Sequence, residues 1–592
     1  MEPTSETKKM TSYLPESATC ETQRLTPPRG PGCSWLVVFA AVVASLSGLM
    51  LGYEMGLTSG VLLQLRGLLS LSCREQELLV SSHLLGALLI CLAGGPVLDR
   101  YGRRCSLLLS AGLVVGGTVV LVAVTSLVAL TLGRLIVGMG TSLSGTAACL
   151  YIAEISPRER RGLLVTLYEL MLVVGVMLGF GCSYAFATLP HGWAYTFGLV
   201  IPPALLQMVA LVFLPHSPRF LVAQGKVEQA RVVLAKMRGG VGEHVDLELR
   251  DIQAGLKEES EHSFLELFSD KSNLRVRLLT GVALVFLQQA TGQPNILSYA
   301  SPLLRSVGFN SDAAATLAST GFGVVKVVFT IPAVMLVDRV GPKSFLCVGA
   351  VAMGLSLATL GALALQSQTH LTSLCKSHTT LNHTYTPWDL NSTSIEYDYE
   401  MFSTDLPSQW NSEEELRTKT EKDWGSLGER THVEVASSLK WASLISLLVY
   451  VAAFSISLGP MVYVVLSEIF PMGVRGRAVS VVSAVNWATN LLISMTFLTI
   501  TERIGVPNVM FLYAAMSFVL LVFVILCVPE TKGRSLEEIS KELAKKKKFE
   551  VRLFRQVKPQ DISNRTSTGS PAVNRPAPQL KQSQEQTSRM VV

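Results

Sequence analysis

Long apolar segments alternate with shorter polar ones along the 592 residues of this chain. Stretches such as 35–56 and 508–528 carry almost no charge, whereas 215–275 is polar. A helix needs about 20 apolar residues to cross the roughly 30 Å of hydrocarbon in a bilayer. The pattern therefore predicts twelve membrane-spanning helices, over residues 35–58, 79–98, 106–125, 127–150, 163–187, 194–214, 276–300, 313–337, 344–366, 440–466, 475–499 and 508–528.

The polar connection in the middle of the chain divides these helices into two sets of six. It contains two short amphipathic patterns, over 230–237 and 249–256, which predict helices lying against a surface. We therefore expect an all-α membrane protein built from two six-helix bundles. The predicted domains are a tail 1–34, a bundle 35–214, a linker 215–275, a bundle 276–528 with a long loop 367–438, and a disordered tail 529–592 rich in Lys, Gln, Ser and Pro.

Basic residues cluster in the short loops on one side of the predicted bundles. Such loops face the cytosol in membrane proteins, so that side, both tails and the linker are predicted to be cytosolic. The loop 367–438 falls on the opposite side and carries two Asn-x-Thr sequons, at Asn382 and Asn391, which predict glycosylation there. Cys73 and Cys375 also fall on this side, and the sequence leaves open whether they form a disulfide.

Three loop motifs recur at matching positions in the two predicted bundles, which indicates an internal duplication. The segment 99–104 is similar in outline to 337–343, 154–162 to 468–477, and 215–219 to 529–533. Acidic and basic residues at facing helix ends can form weak ion pairs when the bundles close and separate when they open. The motifs therefore predict a cytosolic gate of Asp99, Arg100, Glu154, Arg161, Asp338, Arg339, Glu468 and Arg475.

Composition narrows the classes of function. The chain is 49% hydrophobic and only 16% charged, whereas a soluble domain carries about 25% charged residues. The net charge of +6 comes from short runs at helix ends and does not indicate nucleic-acid binding. The sequence shows no nucleophile–base set, no metal-ligand spacing among its ten cysteines and no Gly-x-x-x-x-Gly-Lys-Ser/Thr motif. We therefore expect neither an enzyme nor a cofactor.

The duplicated loop motifs resemble those of sugar porters of the major facilitator superfamily. Over residues 35–535 the chain is similar to the facilitative glucose transporter family, and its long sequon-bearing loop between spans nine and ten resembles the third class of that family. The runs Gln-Pro-Asn-Ile-Leu at 293–297 and Tyr-Val-Ala-Ala-Phe at 450–454 resemble one member of that class. The resemblance implies two bundles around a central sugar site with alternating access.

A sugar is neutral and covered with hydroxyl groups, so amides and aromatic side chains suit its site. Gly292 and Pro294 are predicted to interrupt the seventh span beside two glutamines. A single polar residue at membrane depth can also serve only as a contact between helices, and that alternative stays open. The candidates in the seventh and eleventh spans, which match the family's sugar-binding motifs, are Gln288, Gln289, Asn295, Asn486, Trp487 and Asn490.

The chain departs from the family pattern at four site positions. Asn295 lies one residue after the family's seventh-helix Asn, a position that Pro294 occupies here. Tyr463 stands where the family has the tenth-helix Trp, Glu169 replaces the fifth-helix Gln, and Lys326 replaces the eighth-helix Asn. We include these residues in the predicted site. A structural ion pair is the alternative for Glu169 and Lys326, because a charge at membrane depth needs a partner or water.

Glu54 and Arg134 form the predicted proton-coupling pair. Glu54 lies about 6 Å from the outer end of the first predicted span, and Arg134 about 10 Å inside the fourth, so their depths are similar. Parting such a pair changes the affinity of the carboxylate for a proton, as symport requires. By resemblance, proton-coupled sugar porters carry an Asp at the position of Glu54, whereas facilitative members carry a neutral Asn. A static ion pair in a uniporter is the alternative.

The sequence thus favours a carrier of hexoses, glucose above all, with possible proton symport. A second hypothesis is a carrier of another polyol or an anionic solute, such as inositol, dehydroascorbate or urate, which Lys326 would favour. A third, a non-transporting sugar sensor, is disfavoured by the short tail. The expected partners are a small sugar, protons and the lipid bilayer, with no nucleic acid. The sequence leaves open whether the protein resides in the plasma membrane or in endomembranes.

Overall fold

The computed structural model describes residues 34–157, 160–240, 242–261, 264–269, 273–309, 311–366, 437–470 and 474–530. Nearly all of the two predicted tails, most of the loop 367–438 and the sequon residues Asn382 and Asn391 lie outside the described residues. Every regular element in the described part is a helix.

The first half of the molecule contains six helices, three of which begin at a serine. Ser34 accepts a hydrogen bond from a backbone N–H of the first turn at 3.4 Å, and Ser126 does so at 3.2 Å. Ser72 forms a capping box with Glu75. These side chains satisfy backbone donors that a helix start leaves free. The helices are α1 Trp35–Leu69, α2 Cys73–Ala123, α3 Leu127–Ile155, α4 Arg161–Ala185, α5 Gly192–Gly198 and α6 Ile201–Phe213.

The predicted linker is helical and lies against the first half. Arg238 donates hydrogen bonds to the carbonyl of Ile155 at 2.9 Å and to Glu248 at 2.7 Å, which ties two linker helices to the end of α3. The predicted amphipathic patterns over 230–237 and 249–256 fall within helices, as expected. The linker elements are α7 Pro218–Ala223, α8 Val227–Arg238, α9 Glu243–Glu261 and a 3-10 helix Phe264–Phe268.

The second half repeats the six-span pattern with two interrupted helices. One interruption falls at Gly292, which has a φ of 88°, and the other at Ser457, which has a φ of −117° and a ψ of −85°. The helices are α10 Leu274–Ala290, α11 Gln293–Ser298, α12 Ala300–Ser306, α13 Asp312–Val340, α14 Pro342–Gln366, α15 Ser437–Ile456, α16 Leu458–Ile469, α17 Arg475–Ile504 and α18 Val506–Cys527.

Ten segments among the described residues are long and apolar enough to cross a membrane. Helix α2 is one of the ten, although Gly102, with a φ of 81°, divides its 51 residues into two spans. Helices α10, α11 and α12 are each too short alone and together form one more span. The chain is therefore an all-α membrane protein with twelve spans in two six-helix bundles, which confirms the predicted fold class.

Helices α1 and α4 approach so closely that only glycine fits between them. A Cβ on Gly52 would lie 1.9 Å from the carbonyl oxygen of Leu172, and one on Gly175 would lie 2.2 Å from that of Leu49. Small residues of this kind let membrane helices pack backbone to backbone. Because successive residues turn by about 100° around a helix, Glu54 points away from α4 and towards α3.

The two halves contact each other at the end away from the basic loops, which we call the outer end. Here the Glu77 carboxylate of α2 accepts two hydrogen bonds from Thr499 of α17, one from the backbone N–H and one from the hydroxyl, both at 2.7 Å. Ser59 of α1 and Ser301 of α12 bring their hydroxyl oxygens within 3.2 Å of each other. These buried contacts close the outer end.

Helix α1 is longer than its predicted span and continues past residue 58 to Leu69. The extension packs inside the molecule, where Ser59 is fully buried against the second half and Arg66 is only 7% exposed. Glu54 therefore lies 15 residues before the helix end at Leu69, or roughly 22 Å along the axis, and not the predicted 6 Å. The hydropathy pattern missed the extension because polar residues are buried there by tertiary contacts.

Candidate functional site

The seventh span is broken beside two glutamines, as Gly292 and Pro294 predicted. Gly292 adopts a left-handed φ of 88°, and Pro294 stands at the start of α11. Backbone groups left free by the break are bound in part by tyrosine, since the Tyr450 hydroxyl donates to the carbonyl of Thr291 at 3.2 Å. The Tyr513 ring occupies the space beside Gly292, where a Cβ would lie 2.3 Å from it.

An amide–phenol network joins the seventh, tenth and eleventh spans. Gln288 donates to the carbonyl of Leu458, at the break of the tenth span, at 2.8 Å. The Gln289 amide donates to Asn486 Oδ1 at 2.5 Å, and Asn486 Nδ2 donates to the Tyr463 hydroxyl at 3.2 Å. The structure thus brings four of the predicted site residues together.

Some atoms of this region keep hydrogen-bonding capacity for a ligand. Gln289 Oε1 and Asn490 Oδ1 are buried acceptors that receive no hydrogen bond from the described residues. Tyr463 is 43% exposed although its neighbours Met461 and Val462 are fully buried, so its ring faces open space. Free carbonyl oxygens and a phenol match the hydroxyl groups of a sugar, which donate as well as accept. Trp487 is half-buried on the same helix as Asn490.

Asn295 does not join this network. Its side chain is fully buried and donates to the carbonyl of Ile493 at 3.1 Å and to the Tyr513 hydroxyl at 2.7 Å. Asn295 therefore ties α11 to α17 and α18, which is the helix-contact alternative for a polar residue at this depth. The shift of one position relative to the family, with Pro294 in the place of the Asn, turns the amide by about 100° around the helix.

Two opposite charges face each other across the two halves near the network. Lys326 of α13 is 7% exposed, and its ammonium lies 5.6 Å from the centre of the Phe454 ring. Glu169 of α4 is half-buried and lies within electrostatic range of both Lys326 and Tyr463. Among the described residues no ion pair within 4.0 Å joins Glu169 to Lys326, so the two charges are separated in this state.

Glu54 and Arg134 form a buried ion pair inside the first half. Arg134 donates to Glu54 Oε2 at 2.9 Å and to the Thr58 hydroxyl at 2.9 Å. Glu54 is 1% exposed and Arg134 3%, and Glu54 Oε1 accepts no hydrogen bond within the described part of the chain. The guanidinium also lies 5.9 Å from the centre of the Phe197 ring. The two residues meet although the predicted depth of Glu54 was wrong, because α1 runs on past the start of α3.

At the basic end of the first half, the acidic residue Glu154 is bound by a residue outside the predicted gate. Arg103 Nε donates to Glu154 Oε1 at 3.0 Å, and the Ser217 hydroxyl donates to the other carboxylate oxygen. Asp99 is 81% exposed and lies 3.8 Å from Arg103. Both ion pairs of Arg103 thus stay within one half. Arg100 instead lies with its guanidinium 5.8 Å from the centre of the neighbouring Tyr101 ring.

The matching residues of the second half are described only in part. Arg475 donates from Nε and from a terminal nitrogen to the carbonyl of Phe470, both at 3.2 Å, and Glu468 lies within electrostatic range of it. Arg161 begins α4 on the other side of the molecule. The side chains of Asp338 and Arg339 lie outside the described residues.

Sequence reasoning missed Arg103, Ser217, Glu77 and Thr499. Arg103 and Ser217 stand within the motifs that were singled out, so contact with Glu154 was open to prediction. The contact between Glu77 and Thr499 joins residues 422 positions apart, and no sequence signal points to it. Cys73 is disulfide-bonded, and Cys375, its candidate partner, lies outside the described residues.

Comparison with known proteins agrees with this geometry. Residues 40–380 and 425–543 match the family model described as "Sugar (and other) transporter". The facilitated glucose transporter member 12 of solute carrier family 2 from Danio rerio is 55% identical over 538 residues, covering 86% of this chain and 88% of the relative. The member 12 protein from Homo sapiens is 49% identical and covers 88% and 87%, and member 10 from Danio rerio is 38% identical and covers 87% and 93%.

Solved structures give the same answer. The xylose transporter XylE from E. coli, in a partially occluded inward-open conformation, superposes with a TM-score of 0.64 at 25% identity, covering 85% of this chain and all of that one. XylE described as a proton:xylose symporter bound to 6-bromo-6-deoxy-D-glucose gives 0.63 at 26% identity, covering 86% and 100%. The resemblance of the runs 293–297 and 450–454 to one member of the third class is confirmed by the member 12 relatives. This multi-pass membrane protein is a transporter and not an enzyme, and it belongs to the sugar transporter family.

Proposed function

We propose that this chain carries hexoses, glucose above all, across the membrane by alternating access, coupled to protons through Glu54 and Arg134. The observation that carries the sugar site is the network of Gln289, Asn486 and Tyr463 at the break of the seventh span. It combines free acceptor oxygens with an aromatic ring that faces open space. The curated relatives are named facilitated glucose transporters, and a solved neighbour holds a glucose derivative.

Alternating access is supported by where the halves touch. Glu77 and Thr499 close the outer end, whereas Glu154 at the basic end is paired with Arg103 of its own half. The solved neighbour of TM-score 0.64 is a partially occluded inward-open conformation. We infer that the conformation described here opens towards the cytosol. The predicted gate residues then form pairs between the halves only when the cytosolic end closes.

Proton coupling is supported by the burial of the pair of Glu54 and Arg134. A buried carboxylate that loses its cationic partner is strongly disfavoured as an anion and takes up a proton instead. A movement that parts Arg134 from Glu54 therefore links proton uptake to the conformational cycle. One of the solved neighbours is described as a proton:xylose symporter.

The sugar site is tested by uptake of labelled glucose into proteoliposomes. Asn486→Ala removes the central amide of the network, and we expect it to raise the KM for glucose by about tenfold, since it leaves buried partners unpaired. Asn508→Ala is the matched control, because Asn508 is exposed and bonds only to the carbonyl of Ile504. Equal KM values for the two variants would contradict the proposed site.

Proton coupling is tested by adding an inward proton gradient to the same vesicles. We expect the gradient to drive accumulation of sugar by the unaltered chain. Glu54→Gln cannot release a proton, so it should abolish accumulation while exchange of labelled for unlabelled sugar continues. Glu502→Gln, at an exposed position near the outer end of α17, is the control and should accumulate sugar normally. Accumulation that survives Glu54→Gln would defeat the coupling role.

Two alternatives rest on specific observations. The names of the curated relatives favour facilitated uniport, in which the pair of Glu54 and Arg134 is a static contact. Lys326 favours a polyol or anion such as inositol, dehydroascorbate or urate, because its ammonium makes no ion pair within the described residues. Competition of these solutes against glucose distinguishes that case. The sequons at Asn382 and Asn391 fit a protein routed to the plasma membrane or to endomembranes.

A further inference from the structure

A cavity of about 460 Å³ lies at the basic end of the first half, where the linker meets the membrane-spanning helices. It is separate from the sugar network and from the pair of Glu54 and Arg134. Its wall combines charged, amide and aliphatic side chains from the motif 99–104, the segment 215–221 and helix α8. The residues that line it are Arg104, Pro215, His216, Leu221, Glu228, Gln229, Val232 and Val233.

Two nitrogen atoms in this wall are left without a partner. Arg104 uses one terminal nitrogen to donate to the carbonyl of Val212 at 2.8 Å, but its Nε is buried and makes no hydrogen bond within the described residues. His216 Nδ1 is likewise buried and unpartnered. Burial and then the nearby charges of Arg104 and Lys226 lower the pKa of His216. The positive charge here therefore belongs to Arg104 and Lys226.

The cavity adjoins the apolar surface of α6. Val212, whose carbonyl Arg104 binds, is 58% exposed, and its neighbours Phe213 and Val209 are 79% and 60% exposed. Side chains this apolar at the end of a membrane-spanning helix contact lipid chains. Val232 of the cavity wall is itself 55% exposed. An occupant with a polar head and long apolar chains can therefore fill the cavity and continue along α6.

The charges of the wall specify the head. Arg104 suits a phosphate, because a guanidinium binds phosphate oxygens through charge-assisted hydrogen bonds. Glu228, an exposed carboxylate on the opposite linker helix, suits a cation that can donate hydrogen bonds, and Gln229 beside it suits ester or hydroxyl oxygens. A purely anionic head would meet Glu228 as a like charge. A head with both a phosphate and a primary ammonium satisfies both sides.

We propose that this cavity binds a membrane phospholipid whose head carries a phosphodiester and a primary ammonium, with the phosphate at Arg104 and His216 and the ammonium at Glu228. The lipid joins the end of α6 to linker helix α8. It also lies one residue from Ser217, which bonds to Glu154. The bound lipid thus holds the linker against the first half, and the inference does not depend on which sugar is carried.

The experiment measures lipid binding to the purified, delipidated full chain by native mass spectrometry. Dioleoyl phosphatidylethanolamine, phosphatidylcholine and phosphatidylglycerol are added in turn. We expect the ethanolamine lipid to bind about tenfold more tightly than the other two, because only its head can donate charge-assisted hydrogen bonds to Glu228 while its phosphate meets Arg104. Equal binding of the three lipids would overturn the proposal.

Three variants locate the binding. Arg104→Ala should lose about tenfold in affinity for all three lipids, since every phosphate loses its partner. Glu228→Gln lies at an exposed position that keeps the fold, and it should remove the preference for ethanolamine over choline without weakening the glycerol lipid. Lys236→Ala, an exposed basic residue of α8 outside the cavity, is the matched control and should bind as the unaltered chain does.

Two outcomes contradict the site directly. A Glu228→Gln chain that keeps the ethanolamine preference places the ammonium elsewhere. Glycerophosphoethanolamine, the water-soluble head without chains, should compete only weakly, because it lacks the apolar contact with α6. Competition as strong as that of the lipid would mean that the cavity takes a free phosphate compound and not a membrane lipid.

Discussion

The contact between Glu77 and Thr499 predicts how firmly the outer end stays closed. The Glu77 carboxylate is 4% exposed and accepts two hydrogen bonds of 2.7 Å from the other half, so both must break before the outer end opens. Glu77→Gln keeps the shape of the side chain but removes its charge. A hydrogen bond to a charged group contributes about 1.5–3 kcal/mol, against about 0.5–1.5 kcal/mol between neutral groups.

The substitution therefore costs the closed outer end about 1 kcal/mol for each bond, or about 2 kcal/mol in all. Since each 1.4 kcal/mol is about a tenfold change, the ratio of outward-open to outward-closed molecules should rise by about 30-fold. The open state gains nothing from the change, because water can bind a carboxylate or an amide there. The effect is thus a shift of the conformational equilibrium and leaves the sugar network intact.

The assay is the labelling of a cysteine placed between the halves. Ser59→Cys puts a thiol at a fully buried outer position, which a membrane-impermeant maleimide reaches only when that end opens. We expect labelling to be about 30-fold faster with Glu77→Gln, in line with the equilibrium shift. Glu75→Gln is the matched control, because Glu75 lies one turn away and bonds only to Ser72. Equal labelling of the two variants, or no acceleration at all, would refute the reasoning.

Two further substitutions probe the site itself. Gly292→Ala strains a φ of 88° and drives a methyl group to 2.3 Å from Tyr513, so it should cost about 1–3 kcal/mol in thermal unfolding and raise the KM for glucose; Gly321→Ala, which meets nothing closer than 3.5 Å, should change neither. Lys326→Met alone leaves Glu169 with no opposite charge in range, so it should impair uptake more than Lys326→Met combined with Glu169→Gln; losses that simply add would show that the two charges act independently.

The membrane-spanning pattern and the duplication could be predicted from the sequence because both are local. A span is visible as about 20 apolar residues in a row, and the break of the seventh helix is visible as Gly292 and Pro294. The polar residues Gln289 and Asn486 stand out because a polar side chain at membrane depth is costly without a partner. The interrupted helix and the network therefore agree with what the sequence alone indicated.

The side to which each polar residue turns was decided only by the tertiary structure. Asn295 bonds to Tyr513 and not to the sugar network, because the rotation of α11 follows from its packing against two helices about 200 residues away. The length of α1 and the closure of the outer end by Glu77 likewise depend on surfaces that meet only after folding. Hydropathy records how apolar a segment is, whereas the orientation of a side chain depends on which neighbours the fold places beside it.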